Sequence, residues 1–144
     1  MDRTTAFLFA LLLIPISLSA QQGTSEKDIL DLLAGSAKQQ WSVVGTRSAP
    51  TGACSANEAY YTFQRTPAQV VVQECAGGVW KPRTSAFTTW SANGKAGVTL
   101  DGRSFEVKAL HAGAPVCKGS ANCVRLSSLP DGKSDVATNI YLTR

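Results

Sequence analysis

The chain has 144 residues, 44% of them hydrophobic and 17% charged, which is one domain's worth of sequence with enough apolar side chains for a single core. Its formal net charge of +4 comes from scattered Lys and Arg, and the densest basic neighbourhood, Lys81-Pro82-Arg83, lacks the clustering of a nucleic-acid surface. A mild attraction to acidic partners is the most that this charge implies.

Arg3 precedes a continuous apolar run from Ala6 to Ile14. Pro15, the small-residue exit Ser17-Leu18-Ser19-Ala20 and the polar pair Gln21-Gln22 follow. A positive start, an apolar middle and a small-residue exit are the three parts of a secretory signal. The run is shorter than the roughly 20 apolar residues that cross a bilayer. Residues 1–20 are therefore expected to be a signal peptide and residues 21–144 a soluble domain, secreted or periplasmic. An uncleaved membrane tether is the alternative.

Ser25-Glu26-Lys27-Asp28 carries the marks of a helix start: a hydroxyl to accept a first-turn N–H, and acidic residues facing the positive helix end. Ile29, Leu30, Leu32 and Leu33 continue with helical spacing, and Gly35 is a natural stop. One short amphipathic helix is predicted here, lying against a barrel or sheet to cover one end.

Beyond Gly35 the pattern changes to short strand-like runs. These are Lys38–Val44, Glu58–Gln64, Gln69–Cys75, Ala86–Trp90, Ala96–Leu100, Ser104–Leu110, Cys123–Ser128 and Val136–Leu142. Turn chemistry separates them, including Arg65-Thr66-Pro67, Gly77-Gly78, Asn93-Gly94, Asp101-Gly102 and Pro130-Asp131-Gly132. Several runs alternate: Tyr61 and Phe63 share a face, as do Phe105, Val107 and Ala109, and Val136, Thr138, Ile140 and Leu142. About eight strands without interleaved helices predict an all-β fold, an antiparallel up-and-down barrel with one short N-terminal helix. A two-layer sandwich satisfies the same alternation.

The 4 cysteines are Cys54, Cys75, Cys117 and Cys123. An even number in a short exported chain predicts two disulfides, and the spacings lack the close pairs of structural zinc sites. Cys54 and Cys75 return to each other across the Arg65-Thr66-Pro67 hairpin, and Cys117 and Cys123 close a short loop. The pairing 54–75 and 117–123 is preferred among three connectivities. On the chain-entropy account these loops contribute about 3 and about 2.5 kcal/mol respectively.

Leu33-Ala34-Gly35 ahead of Lys38-Gln39-Gln40-Trp41-Ser42-Val43, then Glu58-Ala59-Tyr60-Tyr61-Thr62-Phe63, resembles the exported lipocalin-like (calycin-type) small β-barrel proteins of bacteria. Cys75, Trp80, Trp90 and the Leu100–Val107 hairpin continue the likeness, which covers about residues 29 to 110. The Cys117–Cys123 loop and the last two strands carry no mark of that family. The resemblance implies a barrel fold.

Conventional catalytic constellations are not visible. The single His, His111, sits in a small-residue loop, and the cysteines are assigned to disulfides. The carboxylates Glu58, Glu74, Asp101, Glu106, Asp131 and Asp135 are scattered, and no phosphate loop or metal motif stands out. No cofactor or metal is expected. The aromatic residues are more informative, because an eight-stranded barrel is either filled by side chains or holds one small ligand. A filled core is one reading. The other is an apolar cup lined by Trp41, Phe63, Trp90 and Phe105 that binds a small hydrophobic ligand.

The expected function is accordingly non-catalytic ligand binding by an exported monomer. The alternative is a surface-binding module, such as an inhibitor of a protease or cell-wall hydrolase, that contacts an exported protein partner through loops Ser48–Gly52 and Ala112–Ser120.

Overall fold

Ser25 opens the ordered helix as its cap. Its hydroxyl accepts the Asp28 N–H at 3.1 Å, and the Asp28 carboxylate accepts the Ser25 N–H at 2.8 Å, so two otherwise unpaired donors are satisfied reciprocally. The computed structural model describes residues 24–130 and 137–144. The proposed leader, the Asp131-Gly132 part of the last turn, Asp131, Asp135 and Val136 lie outside the described residues.

The elements in order are α1 (Glu26–Ala34), β1 (Lys38–Val43), β2 (Ala59–Gln64), β3 (Gln69–Ala76) and β4 (Val79–Ala92), followed by β5 (Lys95–Leu100), β6 (Arg103–Leu110), β7 (Cys123–Ser128) and β8 (Asn139–Thr143). Every strand pairs antiparallel with the next, and β1 meets β8 to close an eight-stranded barrel. The sandwich alternative is thereby excluded.

β4 is the main departure from expectation. It begins at Val79, directly after the Gly77-Gly78 turn, and pairs with β3 from Ala76↔Val79 to Gln69↔Ala86. Pro82 lies within it, where the sequence argues against a strand. The proline is tolerated because β4 pairs with β5 only from Phe87 onward, leaving its first half paired on one side.

The inward positions of the strands form one core with the helix. Trp41, Phe63, Val70, Val98, Leu126 and Leu142 are buried together with Ile29, Leu33 and Ala34 of α1. The helix is held in place by polar contacts as well. Trp41 Nε1 donates to the Leu33 carbonyl at 2.8 Å, which gives a buried indole the partner it needs. Arg65 donates to the Gly35 carbonyl at 3.1 Å and to Asp31 at 2.6 Å. α1 therefore closes one end of the barrel.

Both disulfides form as expected. Cys54 pairs with Cys75 and Cys117 with Cys123, with Cα separations of 5.8 and 5.9 Å. Among the described residues no helix is long and apolar enough to cross a membrane.

Gly97 marks the tightest strand contact. A Cβ there would stand 1.9 Å from the Phe105 carbonyl oxygen and 2.6 Å from the Trp90 ring, which lies across it. The expected result of Gly97→Ala is a loss of about 1–3 kcal/mol in denaturant unfolding, the usual cost of overpacking. An unchanged midpoint would show that the barrel wall yields here without strain.

Candidate functional site

The end of the barrel opposite α1 is not filled. A pocket of about 220 Å³ opens there, walled by Tyr61, Val70, Val72, Leu100, Phe105 and Ile140 and rimmed by Arg83, Ser85, Asp101 and Arg103. Strand alternation aims these side chains inward. Phe105 and Val107 are buried on β6, which puts Arg103 on the same face two residues earlier. On β4, buried Phe87 sets the inward face for Ser85 and Arg83.

The rim chemistry is unequal. Arg83 is neutralised by an ion pair with Asp101, half-exposed on both sides. Arg103 packs its guanidinium over the Phe105 ring at 5.6 Å from the centroid and donates to Thr138 Oγ1 at 3.2 Å. Among the described residues no carboxylate pairs with Arg103. Its Nε and the Ser85 Oγ are both buried with no hydrogen-bond partner among those residues. Burial pushes the Tyr61 phenol above its ordinary pKa; Glu74 and Asp101 add to the rise while Arg83 opposes it. At neutral pH Tyr61 is therefore an uncharged hydroxyl in the apolar wall of the pocket that Arg103 also lines.

The four residues expected to form one cup are dispersed. Phe105 lines the mouth pocket. Trp41 and Phe63 lie in the packed half, 1% and 0% exposed, against 9% for Tyr61 and 7% for Leu100 at the mouth. Trp90 does not face the interior. It pairs with Gly97, which pairs with Glu106, and these residues lie on the outer face opposite Phe87, Val98 and Phe105. The expected interior position of Trp90 is therefore corrected: its ring covers the glycine from outside.

Ser85 and Arg103 are not among the site residues expected from sequence, and Arg83 enters there only as part of the basic neighbourhood Lys81-Pro82-Arg83. Arg103 was accessible through the alternation of Phe105, Val107 and Ala109. Arg83 and Ser85 were hidden because Pro82 masks the first half of β4.

A second set of polar contacts shapes the surface beside the barrel. Glu58 is buried and accepts the backbone N–H groups of Ser55 at 2.8 Å, Arg47 at 2.7 Å and Ser48 at 3.0 Å. Tyr60 donates its hydroxyl to the Ser48 carbonyl at 2.8 Å. The long β1–β2 loop, which contains Ser48–Gly52, is thus folded around one carboxylate. The base of this loop approaches the loop of the second disulfide, and a recess of about 420 Å³ between them is lined in part by Arg47, Lys118, Gly119 and Ser120. His111 is exposed in the β6–β7 connection. Glu106 lies between Lys108 at 3.0 Å and Lys95 at 3.6 Å. Among the described residues no three His, Cys, Asp or Glu side chains gather as a metal site.

Comparison with protein-family models, curated proteins and solved structures returns no match to this chain.

The backbone bonds from Ser55, Arg47 and Ser48 hold the Glu58 carboxyl at about 2, below its ordinary 4.5. A depressed carboxylate stabilises the fold fully above the unfolded value, and that contribution disappears as pH falls through the folded one. Amide exchange should therefore show protection of Arg47, Ser48 and Ser55 falling as pH drops from 4.5 to about 2. In Glu58→Gln the same amides should be less protected at neutral pH and respond little to acid. Protection in the wild type that is flat across this window would contradict the assignment.

Proposed function

We propose that the protein is an exported, non-catalytic binding protein that takes a small amphiphile into the open mouth of its barrel. The ligand's apolar body lies against Tyr61, Val72, Leu100 and Phe105, and its anionic head meets Arg103. One observation carries this reading: a pocket with apolar walls ends at a guanidinium Nε and a buried hydroxyl that have no hydrogen-bond partner among the described residues. A few polar groups placed on an otherwise apolar concavity are what orient a small ligand. A buried polar group without a partner is costly, and a ligand head that supplies the partner recovers that cost on binding. Export is supported by the leader-like first twenty residues and is compatible with the two disulfides, which persist in oxidising compartments.

Displacement of an environment-sensitive naphthalene dye should reveal binding of octanoate at micromolar protein. Arg103→Ala should weaken octanoate by about ten- to a hundredfold, the range of a hydrogen bond to a charged group, while octanol binding changes little. Equal weakening of acid and alcohol would remove Arg103 from head recognition, and no displacement by either would end the mouth reading.

A second reading, docking of an exported protein partner, is favoured by one observation. The Ala112–Ser120 loop borders a recess that bears Lys118 and, from the base of the β1–β2 loop just before Ser48–Gly52, Arg47. The double substitution Arg47→Glu, Lys118→Glu should then abolish co-purification of an exported hydrolase while leaving dye binding intact. A partner retained by the doubly substituted protein would exclude this face.

A further inference from the structure

The barrel closes along a short seam. Only Ser42↔Thr143 and Val43↔Leu142 pair across β1 and β8, and one further backbone bond joins the Val44 N–H to the Tyr141 carbonyl at 2.9 Å. Past that bond β1 gives way to the turn at Gly45, whereas β8 extends to Asn139. Ile140 and Asn139 pair with β7 on one side, and on the other the ladder to β1 has stopped.

A recess of about 340 Å³ occupies this gap, lined in part by Val43, Val44, Tyr61, Val116, Ile140 and Tyr141. Alternation puts Val43, Tyr61 and Ile140 on the inner face of the wall and Val44 and Tyr141 on the outer face. Residues of both faces of the wall therefore border the recess. Val116 reaches its outer edge from the turn Pro115–Cys117, which packs against β8. Cys117, the last residue of that turn, opens the loop of the second disulfide.

Tyr61 and Ile140 also line the mouth pocket, so the two spaces share a wall made of two side chains. The mouth alone, at about 220 Å³, is small beside the ~300–1,000 Å³ of ordinary ligand pockets. Joined to the seam recess, the space falls within that range.

We infer that the β1–β8 seam is the distal half of the ligand site and receives the end of a single unbranched alkyl tail that passes between Tyr61 and Ile140. This inference rests on the proposed mouth binding. It adds the ligand's shape: an anionic head, one flexible chain, and a length exceeding what the mouth can bury. A rigid fused-ring ligand does not fit, because a gap flanked by two strands still joined at Val44 and Tyr141 admits a chain more readily than a plate.

The test is a chain-length series of straight saturated carboxylates from hexanoate to palmitate, followed by dye displacement. Wild-type affinity should continue to rise by about fourfold per methylene beyond the length that fills the mouth, the increment of burying one methylene. Val116→Trp fills the recess from the loop, and Val44→Trp fills it from the strand end, so that one variant remains informative if the other misfolds. In either variant the rise should stop at the mouth-filling length, with hexanoate affinity unchanged within about twofold, because neither side chain lines the mouth.

A wild-type plateau at the same length as the variants would overturn the inference while leaving mouth binding intact. A uniform weakening at every length would also overturn it. Failure of every carboxylate to bind would remove the mouth reading as well. Light scattering supplies a further outcome: a dimer broken by Val116→Trp would assign the gap to a second copy of the chain instead of a ligand tail.

Discussion

The closure between β1 and β8 is the constraint on which the rest of this barrel depends. A sheet of eight strands has edges until its first and last strands pair, and pairing removes them. Here the closing ladder is brief, with two paired positions and one additional backbone bond. On one side of that ladder Arg144 lays its guanidinium over the Trp41 ring at 5.3 Å. On the other, β1 turns away at Gly45 while β8 continues. One end of the seam is sealed by side chains, and the other opens into a recess.

This asymmetry divides the interior. Near α1 the large side chains interlock, and the Trp41 indole meets the Leu33 carbonyl that would otherwise lack a partner at the helix end. The contact between Phe63 and Phe87, centroids 5.5 Å apart in edge geometry, belongs to the same packed half. A domain of this size needs such a region for stability. Away from α1 the inward positions of the strand ends are taken by Arg83, Ser85 and Arg103 in place of bulky apolar residues, so the barrel stays open. The packed core and the open space are therefore assigned to different lengths of the same strands.

Much of this architecture was legible in sequence because strand alternation and turn chemistry are local signals. The faces of β2 and β6 and the Ser25 cap follow from residues within a few positions of one another, and the cysteine pairing from one short loop and one hairpin. The failures lie where a nonlocal partner decides. Thr88-Thr89-Trp90-Ser91 shows no alternation, so nothing local reveals that Trp90 faces outward. Its orientation makes sense only beside Gly97, a residue of the neighbouring strand with no side chain of its own. Pro82 ends a strand on local grounds, yet here it sits in a stretch paired on one side only. Glu58 reads as one of several scattered carboxylates, and its role depends on three N–H groups from a loop that folds back upon it.

The electrostatics of the mouth follow from its geometry. Asp101 occupies the β5–β6 turn and reaches Arg83 across the rim, so one of the two guanidinium groups is compensated within the wall. Arg103 lies against Phe105, where the ring face favours the cation but supplies no counter-ion. An exposed charge in water is well solvated, but the Nε of Arg103 is buried and has lost that solvation. A guanidinium partly withdrawn from water attracts an anion more strongly than a fully exposed one, since the surroundings screen the attraction less. Burial of Tyr61 itself keeps its proton in place, so the phenol stays neutral. An apolar wall, a neutral hydroxyl and a cation with a buried Nε are the groups that the proposed ligand, greasy along its length and charged at its tip, would meet.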